Sequence, residues 1–113
     1  MRMEDLEAHK DEVHGDDWLS DLFEAIRTVE TGKLPFRGRD AVGDNGKSLG
    51  PMQIQMKYGR DCGIAGNYEM VKAEHYAKKC MLNYWHRYCM LALVFGNMEI
   101  LARVHNGGPM GYT

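Results

Sequence analysis

The chain has 113 residues, enough for one domain with a modest core. Hydrophobic residues make up 44% and charged residues 27%, ordinary globular values that exclude disorder of the whole chain. A formal charge of -2 gives no reason to expect a nucleic-acid partner, and no stretch approaches the length of a membrane-spanning helix, so membrane insertion is not expected.

Residues 1–15 mix acids, His and Lys with few apolar anchors and read as a polar N-terminal arm. They lack the apolar core of a secretory signal, so synthesis in the cytoplasm, a reducing compartment, is the simplest reading. Asp16 or Asp17 then suits a helix N-cap. Leu19, Leu22, Phe23, Ile26 and Val29 follow as one helical stripe, predicting a helix from about Trp18 to Glu30 that stops at Gly32. The glycine-rich segment 32–47 reads as loop, and Asp44-Asn45-Gly46 is a strong turn signal because Asn and Gly tolerate positive φ. A small hairpin is expected around it. "PMQIQ" supplies a strand with Met52 and Ile54 on one face and Gln53 and Gln55 on the other.

"DCGIAGNY", residues 61–68, reads as a second loop. From about Glu69 to Cys89 the pattern is helical again, with Val71, Ala77, Cys80, Met81, Tyr84, Trp85 and Tyr88 on a broad apolar face. Gly96 and Asn97 break the chain, and Met98 to His105 makes a last short helix ended by "NGGP". The layout is α+β, mostly α, with one small β element. Cys62, Cys80 and Cys89 are odd in number and do not make a disulfide framework. They read as mostly reduced, buried thiols. No two of them lie two to four residues apart, so no zinc site or other metal is expected.

Two acids carry the chemical interest. Glu30 ends the first helix, where a Glu is usually a surface group set against the helix dipole. Ile26 and Val29 are expected to place its turn against the core, and apolar surroundings raise a carboxyl's pKa toward that of a general acid. Asp44 opens a tight turn, where Asp is common for local reasons. Together they could flank a glycosidic bond, one carboxyl protonated and the other ionised. His105 at a helix end is more often structural than functional, and the glycines after it let backbone approach a ligand.

"VETG", "DNGKSLGPMQIQ", "YGRDCG", "YWHRY" and "ARVHNGGPMG" occur in the order seen in invertebrate-type (destabilase-type) lysozymes. The resemblance covers roughly Trp18 to Thr113. It implies a lysozyme-like fold over residues 16–113, with a small β-hairpin beside an active-site cleft. It also implies a bacteriolytic muramidase that cuts the β-1,4 bond between N-acetylmuramic acid and N-acetylglucosamine in peptidoglycan, without a cofactor. Glu30 matches the family's general acid and Asp44 its nucleophile or charge-stabilising partner, with retention expected. Gln53, Tyr58, His105, Asn106 and Gly107 fall at matched positions and are assigned to the substrate. Asp40 is the rival for Asp44, because the loop around it departs from the family pattern by a residue or two. Glu24 is the weaker rival for Glu30.

Secreted family members are dense in disulfides, which this chain lacks, so a phage-like or bacterial cysteine-poor member acting at the cell wall, from inside a host or in a virion, fits better. The chain ends soon after "GGPMGYT", where relatives usually continue; a truncation, a divergent end or a larger wall-degrading assembly would each account for it. Some members are also isopeptidases, but Ser48 and Lys47 are ordinary loop residues. The alternative to an enzyme is a catalytically inactive module of this fold that binds wall saccharide or serves a structural role.

Overall fold

A computed structural model of the chain describes residues 17–62 and 67–110. The expected arm over residues 1–15, a cap at Asp16 and residues 63–66 of the second loop lie outside them. The described elements are α1 (Asp17–Thr31), a short 3-10 turn (Pro35–Gly38), β1 (Val42–Gly43), β2 (Ser48–Leu49), β3 (Ile54–Gln55) and α2 (Met56–Asp61). Another 3-10 turn (Asp44–Gly46) joins β1 to β2, and a third (Tyr68–Lys72) precedes α3 (Glu74–Tyr88), α4 (Met90–Phe95) and α5 (Met98–Gly107). This is the expected mostly helical α+β arrangement. Its sheet is antiparallel in the order β1-β2-β3, with Gly43 paired to Ser48 and Leu49 to Ile54.

The core forms around Trp85 of α3, which is fully buried and donates its indole N–H to the Leu101 carbonyl of α5 at 3.0 Å. Phe23 of α1 stacks on it with ring centroids 5.7 Å apart, and Leu22 and Ile26 extend the same helix face inward. The predicted stripe fails at its last member. Val29 is 83% exposed, because its side of α1 borders an open apolar groove while Thr31 in the same turn is buried.

Met52 and Ile54 are completely buried, as the alternation in "PMQIQ" requires. The strand itself is only two residues long, since Gln53 takes a positive φ of 51° that interrupts extended backbone. Gly50 explains how the sheet meets the helical side. Its φ is 79°, and a Cβ there would lie 2.4 Å from the Val71 carbonyl oxygen, so only glycine allows that approach. The predicted helix from Glu69 is correspondingly divided. Residues Tyr68–Lys72 form a 3-10 turn capped by the Asn67 side chain, and the chain is extended at Ala73 before α3 begins.

Two helices carried no periodic signal. α2 is one and a half turns whose single deep anchor is Tyr58. α4 comes from the uninterrupted apolar run after Cys89, and Gly96, at φ 68°, closes it. Only Ala92 of α4 is fully inside, while Leu91, Val94 and Phe95 are exposed.

Candidate active site

Glu30 lies in the last turn of α1, and the next residue fixes that turn to the sheet. The buried Thr31 hydroxyl lies 3.0 Å from the Pro51 carbonyl and 3.1 Å from its own helix's Arg27 carbonyl, and donates between them. The carboxyl of Glu30 is half-buried. It borders an apolar groove lined by Leu22, Ala25, Ile26, Val29 and Ala102, among others. No hydrogen bond or ion pair from another described residue reaches it. Its pKa is raised from 4.5, chiefly because burial disfavours the charged form and secondarily because the charge of Asp44 opposes its ionisation.

Asp44 approaches from the β1–β2 connection. Asp44, Asn45 and Gly46 are successive residues of positive φ, at 52°, 57° and 89°. The Lys47 N–H closes the loop on the Gly43 carbonyl at 3.0 Å. Asp, Asn and Gly are the residues that enter the left-handed region at least cost, so the turn chemistry of the sequence sets the backbone here. The buried Ser48 hydroxyl donates to Asp44 Oδ2 at 2.6 Å and orients the carboxylate, which is otherwise exposed.

Both acids line a single cleft of about 360 Å3. Gln53, Tyr58, His105, Asn106 and Gly107 line it too, so all seven predicted site residues share this cavity. Gln53 uses its side-chain N–H groups on the Gly50 carbonyl at 2.9 Å and the Ala41 carbonyl at 3.3 Å. Its Oε1 packs on Gly43, where a Cβ would come within 2.2 Å.

His105 is deeply buried, with Nε2 2.9 Å from the Met52 carbonyl and Nδ1 3.0 Å from the Tyr58 hydroxyl. A carbonyl only accepts, so Nε2 carries the proton and Tyr58 donates to Nδ1. Burial holds the His105 pKa down to about 4, against the opposing pull of the Met52 carbonyl. The ring is therefore neutral near pH 7 and acts as a wall. Tyr58 stacks on Tyr84 with centroids 3.8 Å apart, and burial pushes its phenol well above the usual range.

The rival acids do not line this cleft. Asp40 is exposed and pairs with Arg39 at 3.3 Å. Glu24 pairs with Arg27 and Arg37, whose hydrogen bonds pull its carboxyl down to about 2. Sequence reasoning missed Ser48 as Asp44's partner, and it missed Lys57, Gln55 and Tyr84 as cleft-lining residues. A Ser four residues after a turn Asp is too common to mark this one. Among the described residues no group of three or more His, Cys, Asp or Glu side chains could hold a metal, and the three cysteines are free thiols.

No family model matches the chain, and no solved structure matches it significantly. Curated proteins do. "Lysozyme" of Magallana gigas is 39% identical over 66 residues, covering 57% of this chain and 48% of that protein. "Lysozyme 1" of Crassostrea virginica is 36% identical over 88 residues, covering 76% of this chain and 47% of that protein. The chain thus spans about half the length of these two relatives. "Invertebrate-type lysozyme 6" of Caenorhabditis elegans is 35% identical over 104 residues, covering 81% of this chain and 74% of that protein. Similarity of that level along most of both sequences means that the chain belongs to the invertebrate-type lysozyme family.

Proposed function

We propose that the chain is a muramidase that hydrolyses the β-1,4 bond between N-acetylmuramic acid and N-acetylglucosamine in peptidoglycan, acting at the bacterial cell wall. One observation carries this reading: a carboxyl with a raised pKa and a second carboxylate line the same cleft, and the charge of the second helps to raise the first. Glu30, still protonated above the usual carboxyl range, gives its proton to the departing glycosidic oxygen. Asp44, at a solvated turn, meets the positive charge that develops at the anomeric carbon. Water then enters on the face the leaving sugar vacated, Glu30 takes its proton, and the anomeric configuration is retained.

Tyr58 and His105 supply a rigid wall, because each satisfies the other's polar group and neither need reorganise when sugar binds. Exposed Asn106 and Gly107 at the cleft edge offer amide and backbone groups to the sugar hydroxyls, and Gln53 supports the hairpin from beneath. The test is the clearing of a peptidoglycan suspension by wild type and by Glu30→Gln, both shown to be folded by circular dichroism. Wild type should clear it and the variant should not; undiminished clearing by the variant removes Glu30 from the mechanism. Saccharide binding by wild type with no new reducing ends would replace the enzyme by a binding module.

A further inference from the structure

A second cavity, of about 350 Å3, lies beside the cleft and shares Gln55 and Lys57 with it. Its remaining walls are Gly46, Lys47, Met56 and Tyr68. Two lysines line it and no carboxylate does. Neither ammonium is paired with an acid among the described residues, whereas Arg27, Arg37, Arg39, Lys72, Lys78 and Arg103 are.

The frame of this side pocket is fixed. The Lys47 N–H is held by the Gly43 carbonyl, and its carbonyl accepts from the Tyr68 hydroxyl at 3.3 Å. The one Tyr68 hydroxyl proton is shared with the nearer Ile54 carbonyl, so the ring braces the hairpin loop against β3. Lys57 sits in the first turn of α2, next to the buried and stacked Tyr58. Two flexible cationic side chains thus rise from anchored backbone at the edge of a cleft whose own charged groups are otherwise acids. Two exposed lysines without an acid partner, in the walls of a mainly apolar recess, suit an anionic group on a branched ligand, and they bind it as point charges rather than by a fixed fork.

We propose that this side pocket receives the carboxylate-bearing branch of the glycan, the lactyl group and its peptide extension on muramic acid, while the sugar chain lies in the cleft. This rests on the muramidase reading and gives it a source of selectivity. A polymer of N-acetylglucosamine alone has no such branch and gains nothing from Lys47 and Lys57.

The experiment uses the full chain carrying Glu30→Gln, so that bound sugars persist, and follows amide shifts during titration. The probes are N-acetylglucosamine, N-acetylmuramic acid and muramyl dipeptide. The two carboxylate-bearing probes should bind roughly three- to ten-fold more tightly than the neutral sugar. Preference for N-acetylmuramic acid itself assigns the lactyl carboxylate; preference confined to the dipeptide assigns the peptide carboxylate. Adding Lys47→Gln and Lys57→Gln together should abolish the preference, and Lys47→Arg with Lys57→Arg should keep it. Equal binding of all three probes, or a preference that survives the double Gln change, overturns the proposal. If wild type hydrolyses no glycan yet the preference and its loss are seen, the pocket stands and the muramidase reading falls.

Discussion

Glu24 and Glu30 are the same residue type on the same helix, and the structure gives them opposite chemistry. Glu24 sits between Arg27 and Arg37, and its carboxyl is pulled down to about 2. Glu30 pairs with no cation among the described residues, borders apolar surface and faces the charge of Asp44, and its carboxyl is pushed up. Proton-holding capacity therefore comes from the neighbours, not from the residue. The Glu24 end of the contrast is structural. Arg37 reaches Glu24 on α1 and Glu74 on α3 at once, and so fastens the Pro35–Gly38 turn, where Phe36 and Arg37 hold positive φ.

The sharpest way to break the comparison is to neutralise each acid in turn. Glu30→Gln should lower peptidoglycan hydrolysis by roughly 100- to 10,000-fold, the usual worth of a positioned general acid. Glu24→Gln should leave the rate within about two-fold, as expected of a group outside the cleft. Equal losses in the two variants would mean that environment does not distinguish these acids. For wild type, activity should fall on the alkaline side as Glu30 loses its proton, at a pH above the ordinary value of 4.5.

A second pair sharpens the origin of that shift. Asp44→Asn should cost activity severely and should also lower the Glu30 pKa, because it removes the charge that opposes ionisation. Asp40→Asn, on an exposed side chain held by Arg39, should do neither. Carbon-13 titration of the Glu30 carboxyl in both variants reads the shift without needing turnover. No movement of the Glu30 titration in Asp44→Asn would leave burial as its sole cause.

His105 extends the argument from acids to a base. Its folded pKa of about 4 lies below the ordinary 6.5, so the unfolded chain binds the extra proton between those values. The neutral ring's contribution is complete above pH 6.5 and is lost as pH falls through 4, a difference of about 3 kcal/mol. Urea unfolding of wild type should show stability dropping across that window. His105→Gln should flatten the drop while lowering stability at pH 7, since the Tyr58 hydroxyl and Met52 carbonyl lose their shared partner.

How much of this was legible in the sequence follows from the range of each interaction. Leu22, Phe23 and Ile26 announce α1 because helix periodicity is local, and Asp44-Asn45-Gly46 announces the turn because few residues accept its backbone. Val29 misled, since periodicity cannot tell which member of an apolar stripe borders an open groove. α2 was silent because six residues anchored by one tyrosine have no period to detect. The family motifs singled out the two acids, but the hydrogen bond from Ser48, the paired rivals Asp40 and Glu24, and the lysines of the side pocket are tertiary facts. Spacing carries no information about them.

The smallest expected effect belongs to the structural end of the comparison. Arg37→Ala removes one cation from Glu24 and one from Glu74, while Arg27 and Lys78 remain with those acids. Both carboxyls are depressed in the folded chain, so their pairing stabilises it above the ordinary value of 4.5 and is lost as pH falls below it, toward about 2 for Glu24. At pH 7 the variant should melt slightly below wild type, by less than His105→Gln does, and the gap should shrink in high salt because the pairs are solvent-screened. Near pH 2 the two melting curves should converge, with hydrolysis at pH 7 unaltered throughout. A gap that persisted at low pH would show that Arg37 holds the turn through packing rather than charge.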